Sequence, residues 1–568
     1  MVILGLSDAF SAAALLRDGK LIAAAREERF NRIKLSDDFP SRAVRYCLAE
    51  ANIGIQEVDQ IVFAWNPGHE IEPFDTATAM RYHQDFLHYI PNNLLNIIAG
   101  RKENKKVSMI HQRLDLPGNA MNIAFVPHHF SHAAAAFFVS PFDKAAVLTT
   151  DAYGDDISTQ MFAGRGNQLE SVATTLFPHS LGSVYAAVTQ YLGFRANSDE
   201  WKVMGLSPFG EPVYYDAFKK IIKFLPDQGR LWVDLDYFSY YVWSPRRYSD
   251  VFEKTFGPER HFGEDLLKRH EDIACSFQKR VEDVVLEMAA YLFEKTKLPN
   301  LCVSGGCAMN SKMNGRLAQE SPFQKVFVQP SSDDGGASLG ACFYWWNQVL
   351  KRERNFVMEH DYWGPGFTNE QIKKALDNAM VLYRKHDKIE EVTARKISEG
   401  AIVGWFQGRM EFGQRALGNR SILADPRDPD MKDKINSRVK HREKFRPFAP
   451  SVLEEHAADF FLPGEPEPFM QKVFWVKEDK RALVPAITHV DGSGRVQTVS
   501  QRVNPRYWNL INAFKKITGV PLLLNTSFND NDEPIVTSPK DALRCFFSTG
   551  LDVLCMGDYL IEKKPDGK

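Results

Sequence analysis

The feature that most limits the fold is a unit of strand, acidic turn and strand that occurs twice in the first part of the chain. In the first copy, apolar runs at Val2–Leu6 and Ala12–Leu16 flank a polar turn that contains Asp8. About 140 residues later, runs at Ala145–Thr149 and Thr159–Ala163 flank a second turn, which is rich in aspartate. Short apolar runs between polar turns predict β-strands, so the repetition predicts two similar sheets.

Helices are predicted between these strands. Apolar residues recur at intervals of three and four in Ser41–Ala51 and in Glu271–Lys295, which is the spacing of one helix face. The alternation predicts an α/β fold, and together with the repeat it suggests a duplicated ribonuclease-H-like core. Actin-like ATPases are built in this way, with a nucleotide held between the two halves.

A change in the composition of the sequence near residue 355 predicts a second domain. The charged run Lys351–Arg354 is followed by a segment rich in glycine and proline around residues 360–366, and such residues interrupt regular structure. A chain of 568 residues is long enough for several packing units. We therefore predict an N-terminal domain over residues 1–355 and a C-terminal domain over residues 356–568.

Charge and composition limit the partners of the chain. Its 70 Lys and Arg are balanced by 72 Asp and Glu, whereas a general nucleic-acid coat needs a basic excess to neutralise phosphates. No apolar run reaches the length of a membrane helix. The N-terminus shows no secretory leader, and seven cysteines without a CxxC pair fit a reducing cytoplasm. We expect a cytoplasmic protein without nucleic-acid or membrane partners; 40 Phe and 10 Trp leave a homodimer open.

Two histidines suggest a metal site. His128 and His132 lie four residues apart at the start of a predicted helix, so both imidazoles project from one helix face. Asp151 and Asp334 each end a predicted strand. Two imidazoles and two carboxylates without thiolates suit iron, manganese or zinc. The alternative is a pair of histidines that cap a helix and bond to backbone.

Glycine pairs suggest a nucleotide site in the same domain. Gly305–Gly306 and Gly335–Gly336 each follow a predicted strand, where glycine lets backbone amides approach phosphate or ribose. With Asn310 between the pairs, they fit a nucleotide cleft, and Lys202 lies on a loop that could face phosphate. The alternatives are ordinary tight turns and a solvated lysine.

The strongest group of polar residues lies in the C-terminal part. The loop from Gly408 to Arg420 carries three arginines and three glycines in 13 residues. Basic and amide side chains follow in Lys440–Pro450, Arg495–Thr498 and Leu524–Asn529. Arginine binds planar oxyanions through two parallel hydrogen bonds, so we predict a pocket for a phosphorylated small molecule. A solvated basic face and an RNA-binding strip are the alternatives, and the latter would need exposed aromatic residues.

Together, these motifs resemble the O-carbamoyltransferases of the nodulation protein NodU and cephamycin/tobramycin carbamoyltransferase family. The similarity runs nearly end to end. The segments that carry it are Glu27–Phe30, His128–His132, Lys202–Leu206, Ser304–Gly306, Asp334 with Ser338–Ala341, Gly408–Ser421, Phe445–Pro450 and Asn525–Asn529.

The resemblance implies two fused catalytic domains. The first is similar to the universal tRNA threonylcarbamoyl transferase, an actin-like ATPase fold, and the second to the YrdC-like α/β fold. The C-terminal domain is expected to take carbamoyl phosphate and ATP, to release phosphate and pyrophosphate, and to form carbamoyl adenylate. The N-terminal domain is expected to pass the carbamoyl group to a hydroxyl with the help of bound Fe²⁺ or another divalent metal, with Mg²⁺ as a further candidate ion.

The resemblance also implies roles for individual residues. The implied metal ligands are His128, His132, Asp151 and Asp334. The residues implied to hold carbamoyl phosphate and the adenylate are Arg415, Lys440, Arg446, Arg495, Asn525 and Ser527, of which the first three are expected to be catalytic. Those implied to line the N-terminal nucleotide site are Lys202, Gly305, Gly306 and Asn310. A metal can polarise the carbamoyl oxygen, and arginines stabilise charge that develops on phosphate oxygens.

One departure from the family lies in the first hairpin turn. Family members carry a His-Asp pair there, whereas Ala9 and Phe10 occupy its place in this chain. Alanine cannot accept a proton, so three explanations stay open. Asp8 replaces the histidine, His129 acts as the base, or the acceptor is an amine that needs less help. We favour Asp8.

We therefore predict an ATP-dependent O-carbamoyltransferase that acts on a small-molecule acceptor of the natural-product type. A tRNA threonylcarbamoyl-type transferase is one alternative, but the net charge of −2 speaks against it. A non-enzymatic actin-like scaffold is another, and it leaves the basic C-terminal pocket without a purpose. Residues 66–119, the least patterned stretch, are predicted to shape the acceptor cleft.

Overall fold

The computed structural model describes residues 1–65, 123–242, 244–443 and 445–563. Over these residues the chain has a mixed α/β fold that divides into two compact units. Unit 1 comprises Met1–Glu27 and Ser36–Met358, and unit 2 comprises Glu28–Leu35 and Glu359–Lys568. None of the described helices is both long and apolar enough to cross a bilayer. The predicted acceptor segment, residues 66–119, lies outside the described residues.

A short piece of the N-terminal sequence belongs to unit 2. It contains helix α1 (Glu28–Asn31). Arg29 donates a hydrogen bond to the carbonyl of Gly413, and Arg32 donates to the carbonyl of Pro534. The boundary predicted at residue 355 assigns Glu28–Leu35 to the N-terminal domain, whereas the structure assigns this segment to unit 2. Contacts between residues so far apart in the chain cannot be predicted from local composition.

Unit 1 contains two sheets with the same strand order. Its strands are β1 (Val2–Ser7), β2 (Ala12–Arg17), β3 (Lys20–Arg26), β4 (Gln60–Phe63), β5 (Ile123–Phe125), β6 (Lys144–Gly154), β7 (Ile157–Arg165), β8 (Gln168–Leu176), β9 (Ile222–Leu225), β10 (Arg230–Val233), β11 (Asn300–Ser304) and β12 (Lys325–Val328). The order is β3-β2-β1-β4-β5 in one sheet and β8-β7-β6-β11-β12 in the other. Each has three antiparallel strands followed by two parallel ones. The predicted duplication is confirmed.

Two helices of unit 1 carry three of the four predicted metal ligands. The helices are α2 (Ser41–Glu50), α3 (His128–Phe137), α4 (Leu181–Tyr191), α5 (Glu200–Leu206), α6 (Tyr215–Ile221), α7 (Asp250–Phe256), α8 (Lys268–Thr296), α9 (Ser311–Glu320) and α10 (Asp334–Phe343). Helix α10 packs on α3 and on β1. A Cβ atom at Gly340 would lie 1.8 Å from the carbonyl oxygen of Ser131. Glycine is therefore required for α10 to approach α3 this closely.

Two details near the predicted metal ligands differ from expectation. Asp151 was expected at the end of a strand, but β6 continues past it to Gly154 through an irregular register after Thr150. Asp334 does not end a strand, because β12 stops at Val328 and Asp334 is the first residue of α10. Both shifts place a carboxylate on a regular element, which holds it more firmly than a loop would.

Unit 2 is built on one large mixed sheet. Its strands are β13 (Arg384–Lys385), β14 (Val403–Phe406), β15 (Arg420–Ala424), β16 (Ala449–Leu453), β17 (Phe461–Leu462), β18 (Val473–Val476), β19 (Ser493–Arg495), β20 (Gln497–Val499), β21 (Leu522–Ser527), β22 (Val553–Met556) and β23 (Tyr559–Glu562). Its helices after α1 are α11 (Asn369–Asn378), α12 (Ile389–Ser398), α13 (Met431–Ile435), α14 (Ala457–Phe460), α15 (Glu478–Arg481), α16 (Pro505–Thr518) and α17 (Pro539–Ser548).

The large sheet of unit 2 has the order β13-β23-β22-β14-β15-β21-β16-β20, and β17, β18 and β19 form a smaller sheet. Apolar side chains from the strands and from α12, α16 and α17 form its core, with Trp405 fully buried. The α/β class predicted for this part is confirmed, whereas the more specific YrdC-like fold stays a prediction.

A buried ion pair fixes the start of α10. Arg26, at the end of β3, donates to both carboxylate oxygens of Asp333 at 2.8 and 2.6 Å and to the hydroxyl of Ser331 at 2.7 Å. All three residues are buried. Because Asp333 precedes Asp334, this pair sets the position of a predicted metal ligand.

The Arg26–Asp333 pair predicts a large effect of one neutral substitution. Changing Asp333→Asn leaves a buried guanidinium without its counter-charge, which should lower the free energy of unfolding by about 3–5 kcal/mol in urea titration. The control is Glu359→Gln, which removes an exposed pair with Arg502 and should cost less than about 1 kcal/mol. Equal effects of the two substitutions would contradict this account.

Candidate functional site

Four potential metal ligands converge in unit 1. Helix α3 supplies His128 and His132, β6 supplies Asp151, and the start of α10 supplies Asp334; one donor atom of each lies within 4.8 Å of all the others. His132 Nε2 is 3.1 Å from Asp151 Oδ2, 3.3 Å from Asp334 Oδ1 and 3.0 Å from His128 Nε2. We call these four residues the metal-ligand cluster.

Neighbouring groups orient the donors of this cluster. His128 Nδ1 lies 3.2 Å from the carbonyl oxygen of Ala64, which can only accept, so Nδ1 carries a proton and the ring turns Nε2 toward the cluster. Asp155 accepts the backbone N–H of His128 at 2.8 Å and so caps the start of α3. Asp151 accepts the backbone N–H of Gly306 at 3.0 Å. The ring and the carboxylate are therefore held in place by the fold.

The pKa values in the cluster reflect strong mutual attraction. Burial opposes protonation of His128, but the carboxylates of Asp151 and Asp334 outweigh it and raise the pKa of that imidazole well above its usual value. Burial likewise opposes ionisation of Asp151, yet His128 and His132 hold its pKa well below the usual range. Attraction between the Asp151 carboxylate and the two imidazoles thus stabilises the arrangement of the cluster.

The residues of the cluster fit a divalent cation. Two imidazole nitrogens and two carboxylates form a mixed donor set of the kind that iron, manganese and zinc accept. Asp334 Oδ1 is buried and makes no well-aligned hydrogen bond among the described residues, although His132 Nε2 lies 3.3 Å away, and a buried polar atom of this kind calls for a ligand or an explanation. His128, His132, Asp151 and Asp334 would hold such an ion.

A metal-binding measurement tests the cluster. His132→Ala removes one donor and should reduce bound Fe²⁺, Mn²⁺ or Zn²⁺ from stoichiometric to near background, because the remaining three donors no longer enclose the ion. His261→Ala, which changes an exposed histidine of unit 1, should bind metal like the unchanged protein. Elemental analysis after anaerobic reconstitution gives the answer, and full metal content in His132→Ala would refute the assignment.

Unit 2 brings positive charges together around Lys440, which is buried, while the neighbouring arginines are half-buried. Four arginines and a lysine influence one another there, and we call them the cation cluster: Arg415, Lys440, Arg442, Arg446 and Arg495. Burial lowers the pKa of Arg415 to about 10. Burial, followed by Arg415 and Arg442, lowers the pKa of Arg495 well below its usual value. Cations that lie this close together are stabilised by an anion, so the residues of this cluster fit an anionic ligand.

Lys440 is held by the end of β21. Its ammonium donates to the carbonyl oxygens of Ser527 and Asn529 at 2.6 and 2.8 Å, and to Asn529 Oδ1 at 2.7 Å. Ser527 Oγ also donates to Asn529 Oδ1, at 2.7 Å. All three protons of the Lys440 ammonium are therefore donated to protein oxygens. In this arrangement Lys440 and Ser527 hydrogen-bond within the protein and hold the surroundings of the cation cluster in place.

Asn525 is engaged with the protein as well. Its amide nitrogen donates to the carbonyl of Ala416 at 3.0 Å and to the hydroxyl of Ser451 at 2.9 Å. This contact fixes the residue that follows Arg415. The amide nitrogen is therefore not available to donate to a phosphate, which leaves the amide oxygen for the expected contact with carbamoyl phosphate. Its buried Oδ1 has no partner among the described residues.

Comparison with known proteins decides the family. The profile described as "Carbamoyltransferase N-terminus" matches residues 2–343, and the profile described as "Carbamoyltransferase C-terminus" matches residues 394–563. The chain belongs to the carbamoyltransferase family. The resemblance inferred from the motifs is therefore confirmed, and the protein is an enzyme that transfers carbamoyl groups.

Relatives and solved structures differ in how much they add to this assignment. Uncharacterized protein sll1178 of Synechocystis is 40% identical over 99% of this chain and 96% of its own length. Nodulation protein NolNO of Sinorhizobium fredii is 40% identical over 97% of this chain and 79% of its own. Full-length HypF, in a phosphate- and nucleotide-bound crystal structure, is 13% identical over 62% of this chain and 56% of its own, with a TM-score of 0.32. That score is low, so the fold description rests on the strand order.

The two candidate bases of this carbamoyltransferase differ in their surroundings. Burial, with further contributions from Asp334 and Asp37, raises the pKa of Asp8 to about 6. His129 uses both ring nitrogens in the protein, at 2.8 Å from Thr149 Oγ1 and 3.0 Å from the carbonyl oxygen of Ile157. Burial and the two charged histidines lower the pKa of His129 to about 3. The geometry favours Asp8 and does not support the expectation that His129 is a base.

The predicted nucleotide-binding residues of unit 1 have other partners. Asn310 caps α9 through Met313 N–H and exchanges hydrogen bonds with Gln278 in both directions. Its side chain is therefore committed to the fold, contrary to the expected role in ligand binding. Lys202 lies 3.1 Å from Asp199. Gly305 and Gly306 form the turn that reaches Asp151, where a Cβ atom at Gly306 would meet the carboxylate at 2.9 Å.

The sequence interpretation missed several supporting residues. Arg442 and Asn529 belong to the surroundings of the cation cluster and lie within motifs that the sequence had already singled out. Asp155 and Ala64 support the metal-ligand cluster. Asp155 acts as a helix cap and Ala64 acts through its backbone carbonyl. No motif in the sequence indicated either role.

Proposed function

We propose that this carbamoyltransferase forms carbamoyl adenylate in unit 2 and passes the carbamoyl group to a hydroxyl of a small molecule in unit 1. The observation that carries the proposal is the cation cluster, because its closely packed positive charges favour a multiply charged anion. Carbamoyl phosphate and ATP are anions of this kind. The residues of the metal-ligand cluster would serve the transfer step.

The first step consumes water and both phosphorylated substrates. Water cleaves carbamoyl phosphate to carbamate and phosphate. A carbamate oxygen then attacks the α-phosphorus of ATP, the bond to the β-phosphate oxygen breaks, and pyrophosphate leaves. Arg415, Arg446 and Arg495 would stabilise the negative charge on the phosphate oxygens as these bonds change.

Asn525 supports carbamoyl phosphate as the donor. Its Oδ1 is a buried hydrogen-bond acceptor close in sequence to the Ser527–Lys440 contact. The NH₂ of a carbamoyl group can donate to such an oxygen, whereas the methyl of an acetyl group cannot. A buried acceptor left without a donor costs about 1–3 kcal/mol, which would favour the carbamoyl donor.

The second step moves the carbamoyl group. The acceptor oxygen attacks the carbamoyl carbon, the bond to the AMP phosphate oxygen breaks, and AMP leaves with the bonding electrons. Asp8 takes the hydroxyl proton. A divalent cation held by the metal-ligand cluster would supply Lewis acidity toward the carbamoyl oxygen. The nucleotide portion would be bound by the charge of Lys202 and by the backbone amides of Gly305 and Gly306.

Isotope exchange between pyrophosphate and ATP, with carbamoyl phosphate present, tests the division of labour without an acceptor. Arg446→Ala should lower the exchange rate by about 100-fold or more, because it removes a cation at the phosphate oxygens. His132→Ala should keep the exchange, since the metal-ligand cluster lies in unit 1. Arg502→Ala changes an exposed arginine of unit 2 and serves as the control. No exchange in the unchanged protein would rule out the adenylate step.

The role of Asp8 is tested with an acceptor that the unchanged protein carbamoylates. Asp8→Asn should slow carbamoyl transfer by about 10²–10⁴-fold, the usual contribution of a general base, and should leave pyrophosphate exchange intact. Asp18→Asn alters an exposed aspartate of the same hairpin and should behave like the unchanged protein. Product quantification by mass spectrometry measures transfer, and undiminished transfer by Asp8→Asn would exclude the carboxylate as the base.

A further inference from the structure

Arg442 is held rigidly in the cation cluster although the sequence did not single it out as a binding residue. Its Nε donates to Asn436 Oδ1 at 2.7 Å. The guanidinium carbon lies 4.5 Å from the centroid of the Phe448 ring. One edge and one face of the guanidinium are therefore occupied, and these contacts fix its orientation.

Two donors beside this contact have no acceptor. Arg442 Nη2 and Asn436 Nδ2 are both buried and lack a hydrogen-bond partner within the described part of the chain. The orientation of the Asn436 amide follows from chemistry, because an arginine can only donate and therefore faces the amide oxygen. Unsatisfied buried donors are rare in folded proteins, so two of them on residues that are hydrogen-bonded to each other indicate a missing acceptor.

The electrostatic surroundings specify the charge of that acceptor. Burial and the nearby Arg446 lower the pKa of Arg442, while Glu443 opposes the shift. Arg442 in turn contributes to the lowered pKa values of Lys440 and Arg495. A neutral acceptor would leave this repulsion in place, whereas an anion with several oxygens would relieve it and satisfy both donors.

We propose that Arg442, oriented by Asn436, binds a phosphoryl group of a substrate in the cation cluster. The inference rests on the proposed function and adds a binding residue to it. With Nε committed to Asn436, the guanidinium presents its Nη edge to the phosphate oxygens. The phosphoryl group could belong to carbamoyl phosphate or to ATP, and the experiment separates these sources.

The test is isothermal titration of the full-length protein with carbamoyl phosphate and, separately, with a non-hydrolysable ATP analogue. Arg442→Met should weaken at least one of the two affinities by about 10- to 100-fold, the loss expected for a hydrogen bond to a charged group. A lower affinity for one ligand alone identifies the source of the phosphoryl group, and lower affinities for both ligands indicate a shared site. Unchanged affinity for both ligands would overturn the proposal.

Two further variants separate binding from folding. Arg438→Met removes a half-exposed arginine four residues earlier, which pairs with Asp552, and should bind both ligands normally. Arg442→Lys keeps a cation but loses the planar fork, so its affinity should fall between those of the unchanged protein and Arg442→Met. A melting temperature lowered in Arg442→Met without any change in affinity would assign the residue a structural role instead.

The outcomes also distinguish this inference from the proposed function. Failure of the adenylate step appears in the unchanged protein as absence of pyrophosphate exchange. Failure of the Arg442 assignment appears as normal ligand binding by Arg442→Met. Direct binding needs no turnover, so each result can be obtained without the other.

Discussion

The close packing of ionisable groups is the constraint on which the rest of this structure depends. In unit 2, burial and neighbouring arginines lower the pKa values of Lys440, Arg442 and Arg495. In unit 1, two carboxylates meet where two imidazole nitrogens face each other at 3.0 Å. Neighbouring cations in unit 2 favour the binding of an anion, whereas in unit 1 the imidazoles and carboxylates attract each other. The two groups of residues thus fit ligands of opposite charge, an anion in unit 2 and a cation in unit 1.

Rigid elements hold both groups of charges. The metal ligands lie on α3, β6 and α10, and Arg26 fixes the start of α10 through Asp333. In unit 2, the ammonium of Lys440 ties the end of β21 to the segment that carries Arg442. Donors that are fixed before the ligand arrives need little reorganisation on binding, which suits a site that stabilises charge as bonds change.

The sequence predicted those parts of the fold and site that depend on local patterns. Apolar runs on either side of a polar turn predicted the first two strands of both repeats, and the four-residue spacing of His128 and His132 predicted a shared helix face. Hydrogen bonds between residues that are far apart in the chain could not be predicted from the sequence. The commitment of Asn310 to Gln278 and of Lys440 to Asn529 arises only in the folded chain. The exchange of Glu28–Leu35 between units has the same origin.

A crystal structure of the full-length protein with carbamoyl phosphate and a non-hydrolysable ATP analogue tests the central claim most directly. The account predicts phosphate density in contact with the guanidinium groups of Arg415, Arg446 and Arg495. Phosphates bound elsewhere, with these arginines in their present positions and no ligand between them, would contradict it.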